Sequence, residues 1–175
     1  MANSTLIADA AEALLATSAS VLDDPPERKF VGWFQSAQDC DQLVVLPASP
    51  MFTLSTVQTG RAPMTPAPPR PDPGVVLANF QVKLTRLCWP AQTDLSAVPA
   101  AEINAAGYRA LSEGWQCWKA LTELSFDGLL FDGVLTNESC AHVQVLPAVP
   151  VGPQGGAITT VIPVIATIIE AAVLP

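Results

Sequence analysis

VVLANFQVKLTRLCW, residues 75–89, decides the fold. Phe80, Val82 and Leu84 fall on one side of an extended chain, and Gln81, Lys83 and Thr85 fall on the other. That period of two belongs to a β-strand. Its length predicts a strand that crosses a whole sheet, with one face buried and the other wet or covered by a neighbour. Pro90 ends it, because proline has no N–H to donate.

Outward from this strand, two segments read as helices. Residues 4–22 are the first: Asn3 or Ser4 caps it, Ile7, Ala10, Leu14 and Val21 share a face, and Asp9 and Glu12 point elsewhere. Asp23-Asp24-Pro25-Pro26 stops it. Residues 99–124 are the second. Pro99 suits a first turn, and Glu102 meets the positive end of the helix dipole. Ile103, Ala106, Ala110, Cys117, Leu121 and Leu124 form an apolar stripe, while Arg109–Glu113 and Lys119–Glu123 are i,i+4 charge pairs. Gly107 and Gly114 lie seven apart on one face, at a cost of about 1 kcal/mol each relative to alanine. Their compensation is a close approach of this helix to the sheet or to another subunit. Trp115 and Trp118 add large area beside them.

The remaining segments predict shorter strands: 29–34, 42–46 bounded by Pro47, 51–59, 128–135, 140–149 and 158–169. A turn falls at 136–138 and another at 151–156, where Gly155-Gly156 supplies positive φ. Pro163 argues that the last strand lies at a sheet edge or a bulge. Together these elements predict one α+β domain over residues 1–175. Its sheet is mostly antiparallel and is flanked by an N-terminal helix and a second long helix.

Residues 60–74, GRAPMTPAPPRPDPG, interrupt the strands with six prolines. Such a run cannot pair in a sheet and favours an extended polyproline conformation. A structureless loop this long inside a compact domain is uncommon and points to a functional segment. It reads as an arm that lies on a neighbouring subunit; a ligand for an SH3-like domain is the other reading.

Composition agrees with assembly. Half of the 175 residues are apolar and mean hydropathy is +0.36, yet only 14% are charged, against about 25% in ordinary soluble domains. A thinly charged surface fits a chain covered by copies of itself; a small domain with a large core is the plainer alternative. The net charge of −8, with no basic run, excludes phosphate-backbone binding as the main activity. No basic n-region precedes an apolar stretch at the N-terminus, and the most apolar window, 157–169, is too short for a transmembrane helix.

Little chemistry is encoded. Cys40, Cys88, Cys117 and Cys140 stand singly, with no CxxC pair, and read as buried thiols with disulfides left open. Cys140 and His142, the sole histidine, are too few for a zinc site. Asp39 and Asp41 lack the spacing of a calcium loop. There is no G-x-S-x-G, and residues 152–156 lack the Lys-Ser/Thr of a phosphate-cradling loop. The expectation is a structural protein, not an enzyme, with no catalytic residue, cofactor or metal.

Four short words then occur in a definite order: Cys40-Asp41-Gln42-Leu43, Thr85-Arg86-Leu87-Cys88-Trp89-Pro90, Gly114-Trp115-Gln116-Cys117-Trp118 and Gly152-Pro153-Gln154-Gly155-Gly156. Over residues 40–169 the series resembles the tail-terminator or neck proteins of siphophages that infect actinobacteria. Ala157 stands where such relatives often carry another cysteine. The resemblance implies a hexameric ring on the head-proximal end of the tail, assembled in the host cytoplasm and carried in the virion. Such a ring ends tube polymerisation, contacts the tube and connector proteins, and lets DNA through its lumen without specific binding. Another tail or neck component (tube subunit, head–tail stopper, minor tail protein) and a small non-viral binding module are the alternatives. The candidate subunit interface comprises Arg61, Pro66, Pro69 and Arg70 in the arm, Ile158, Val161, Val164 and Ile168 in the last strand, and Trp115.

Overall fold

The computed structural model of the chain describes residues 2–23, 28–32, 41–51, 75–88, 98–131, 140–154 and 156–169. In chain order these form helix α1 (Ala2–Ala19), strands β1 (Lys29–Val31), β2 (Gln42–Met51) and β3 (Val75–Leu87), helix α2 (Ala100–Phe126), and strands β4 (Cys140–Val145), β5 (Val149–Gln154) and β6 (Ala157–Ile169). The fold is α+β, with one mixed sheet ordered β1-β2-β3-β6-β4, and β5 also paired to β6. Among the described residues only β1–β2 is parallel; the other pairings are antiparallel.

β3 and β6 are the spine, paired without a break from Val75↔Ile169 to Leu87↔Ala157. The alternation read at residues 75–89 holds from 78 to 84, with Ala78, Phe80, Val82 and Leu84 buried and Asn79, Gln81 and Lys83 half-buried; Thr85, expected with the latter, is buried, its hydroxyl 3.1 Å from that of Thr159. The buried face meets Leu43 and Val45 of β2, Ile162, Val164 and Ala166 of β6, and both helices in one cluster. α1 enters it through Ile7, Ala10, Ala11 and Leu14, and α2 through Cys117 and Leu121. Full burial of a side chain such as Phe80 stabilises by about 1.5–3 kcal/mol. Val21, assigned to the same stripe, lies beyond the end of α1 and is exposed.

α2 ends where the backbone turns left-handed. Gly128 has φ 70°, and the N–H groups of Gly128 and Leu129 donate to the carbonyls of Ser125 and Leu124 at 3.3 and 2.8 Å. That is a Schellman cap, which satisfies carbonyls the helix leaves open.

Several strand expectations are corrected. β6 is not an edge strand: β3 lies along one side, and β4 and β5 share the other. Pro163 is accommodated because the Leu146 N–H donates to its carbonyl at 2.9 Å, so its ring nitrogen also faces the β4–β5 side. There the chain crosses from β4 to β5 through residues 146–148, and the ladder is already interrupted. β2 runs through Pro47, which pairs with Phe80 beyond the last β1 partner at Val45. Residues 128–131 are turns rather than the start of a strand, since the Schellman cap commits them to a reversal. Residues 149–154 form β5, where a turn was expected; the turn is confined to its end, and Gly156 has φ 80°. Of the strand expected at 51–59, Met51 ends β2 and residues 52–59 lie outside the described residues, as does the arm at 60–74.

Candidate interaction surface

α2 carries three faces, each with its own work. The inner face packs on β6 through glycine. A Cβ built on Gly114 would sit 2.6 Å from Thr160 Oγ1, and one on Gly107 would sit 3.8 Å from Ile158 Cδ1. Gly114 therefore brings the helix down onto the sheet, as expected, whereas at Gly107 a side chain would find ordinary van der Waals room.

A second face turns toward α1 and the end of β3. Arg86, almost wholly buried, pairs through Nε with Glu113 Oε2, and Arg109 Nε pairs with Glu113 Oε1 at 2.7 Å. Arg109 also reaches Asp41 Oδ2 at 3.5 Å, and Asp41 Oδ1 accepts the Leu87 N–H at 2.7 Å. The predicted Arg109–Glu113 pair thus belongs to a chain of charges that ties α2, β3 and the start of β2 together. Its buried part resists loss of either partner, because an uncompensated charge would remain. Beside it an open hollow of about 330 Å³ is lined by Val21, Leu22, Asp23, Arg109, Ser112 and Gln116. Cys88 lies at the same end of the sheet. Burial pushes its thiol pKa up, the Asp41 carboxylate adds to that, and a hydrogen bond with the Ile158 backbone partly opposes it. A raised pKa leaves the thiol protonated and a poor nucleophile at neutral pH.

The third face looks outward on the side away from α1. Tyr108, Leu111 and Trp115 recur at i, i+3 and i+7, and are 74%, 46% and 59% exposed. Trp118 continues the row but turns inward, donating its indole N–H to the Leu146 carbonyl at 3.0 Å. Its ring lies 4.9 Å from that of Trp115, so the exposed indole has a fixed neighbour to lean on. Among the described residues Phe126, Leu129, Val149 and Val151 are also exposed.

The expected interface residues part company. Trp115 is exposed as an interface anchor would be. Val161, half-buried, lies on the sheet face turned away from the helices, in register with exposed Val149. Ile158 faces α2 at Gly107. Val164 is corrected: it is fully buried in the core, because even-numbered β6 residues point at the helices. Ile168 pairs with Val76 and Cys140 in the sheet. Arg61, Pro66, Pro69 and Arg70 lie outside the described residues. The sequence reading passed over Tyr108 and Leu111; their spacing from Trp115 was the signal that could have found them. It also missed Arg86, whose position on a core-facing stretch of β3 required an acid opposite.

His142 is exposed on β4, and no group of three metal-ligating residues occurs among the described residues. Cys88 is a free thiol, and the buried Cys117 thiol donates to the Ser18 carbonyl at 3.7 Å. Among the described residues no helix is long and apolar enough to cross a membrane. A scan against protein-family models and a search of curated proteins both return no match for this chain.

Proposed function

We propose that the chain is a structural subunit of a tailed-phage tail or neck, in which copies join into a ring that terminates the tail tube. The observation that carries this reading is the aromatic row on α2. Tyr108, Leu111 and Trp115 together leave roughly 400 Å² of mostly apolar surface in water, taking about 150–250 Å² per such side chain. The largest apolar patch on a soluble domain is commonly of this size, about 300–600 Å², and is often functional. Trp and Tyr are also the side chains that most often dominate binding energy.

A ring needs two different surfaces that meet head to tail. The α2 row is one. On the opposite side of the sheet Val149 and Val151 are exposed near Val161, a second apolar area that could contact the tube or the connector. The order of short words from Cys40 to Gly156 supports the tail-terminator assignment within this class. A tail-tube subunit, a head–tail stopper and a minor tail protein share the same chemistry. On this reading the partners are copies of the chain, the tube and the connector, and the site of action is the virion.

The test is the mass and shape of the purified protein by light scattering and negative-stain microscopy. Discrete closed rings are the expected result. Open stacked tubes would transfer the chain to the tube subunit, and a monomer at high concentration would overturn the assembly reading altogether.

A further inference from the structure

The α2 row has a length, and so does the most unusual segment of the sequence. From Tyr108 to Trp115 the helix advances about 10.5 Å, at about 1.5 Å per residue. Pro63, Pro66 and Pro69 are spaced by three residues, which places them on one edge of a polyproline helix. At about 3.1 Å per residue, Pro66 to Pro69 covers about 9.3 Å, close to the helix rise of about 10.5 Å from Tyr108 to Trp115. We infer that the exposed Tyr108–Leu111–Trp115 row is the docking surface for the proline-rich segment 61–73 of a second copy of this chain.

Aromatic-lined surfaces are the common receptors for proline-rich peptides, because a polyproline strand loses little entropy on binding and its rings lie flat on indole and phenol. Pro66 and Pro69 stack on the Tyr108 and Trp115 rings, and Leu111 fills the space between them. Arg70, next to Pro69, comes within reach of the Trp115 face, where a guanidinium gains a cation–π contact. The segment carries two arginines and one aspartate, so it is net positive in a chain whose total is −8. Long-range attraction therefore draws it toward another copy. The segment also supplies what the row lacks: the row's roughly 400 Å² is about half of the roughly 800 Å² per partner in a stable interface. The contact is head to tail, so it extends round a ring instead of closing a two-fold dimer.

This inference rests on the reading that copies assemble, and its test separates the two. A photo-reactive phenylalanine derivative replaces Pro69 in the full chain, and isotopically light and heavy preparations are mixed before irradiation. Adducts should map to residues 108–119 and include light–heavy pairs at the mixing ratio. Adducts elsewhere, or only same-isotope adducts, overturn the docking. In parallel, Trp115→Ala should raise the concentration for half-assembly at least ten-fold, and Trp115→Phe should restore most of the loss. No shift in Trp115→Ala would also overturn it. Electron micrographs of the same samples report on function independently. Rings with adducts elsewhere sink only the docking inference; adducts on α2 in an assembly without rings sink only the tail reading.

Discussion

Two glycines on one helix make opposite predictions, because the space above them differs. At Gly114 a methyl group would collide with Thr160 on β6, so α2 must lift from the sheet. Gly114→Ala should destabilise by about 1–3 kcal/mol despite alanine's better helix propensity. At Gly107 the nearest atom is at ordinary van der Waals distance. Gly107→Ala should therefore stabilise, by up to about 1 kcal/mol. Urea unfolding of the two variants checks both signs, and equal shifts would refute the close approach. Cys88 tests the polar end of the sheet. Its folded pKa is raised, so the fold favours the neutral thiol; that contribution is present below the unfolded pKa and lost as pH rises through the folded one. Alkylation of Cys88 should reach half its maximal rate at higher pH in the folded chain than in urea. Asp41→Asn should bring that midpoint down, since the carboxylate opposes the thiolate. A midpoint unmoved by folding would refute the environment assigned to Cys88.

Elements were legible where periodicity was strong and neighbours were few. β3 announced itself because its alternation runs nearly unbroken, and α2 because its stripe and its glycines point the same way. β6 was read as a strand in the right place but put at the wrong position in the sheet. Proline removes one donor on one side only, and the sequence does not say that the strand opposite changes from β4 to β5 at that residue. The same limit hid the passage of β2 through Pro47, past the end of β1. A direct consequence follows. Pro163→Thr should cost well under 1 kcal/mol, because the restored N–H faces an interrupted ladder. Val164→Pro should prevent folding: its N–H lies on the β3 side, and the core loses a buried side chain as well. Circular dichroism and thermal unfolding distinguish the two, and a tolerated Val164→Pro would contradict the central position of β6.

At the scale of the whole molecule, apolar attraction and like-charge repulsion oppose each other. Copies with a net charge of −8 repel, while rows such as Tyr108–Leu111–Trp115 attract on contact. The proposed interaction surface was only half legible for this reason. Low charge and high hydropathy said that something is covered, but Val164 and Trp115 look alike to a hydropathy count. Only the pleat of β6 and the wheel of α2 say which of them faces water. Salt separates the two forces. The repulsion is long-ranged and fades as the screening length falls from about 10 Å at 0.1 M to about 3 Å at 1 M, whereas apolar contact persists. Raising sodium chloride from 0.1 to 1 M should therefore shift the sedimentation profile toward the assembled form at fixed protein concentration. The arm's arginines pull the other way, because screening weakens their attraction to an acidic neighbour. Repulsion between whole subunits outweighs a segment with two arginines and one aspartate, so the net effect of salt is association. Dissociation at high salt would mean that ion pairs, not the aromatic row, hold the copies together.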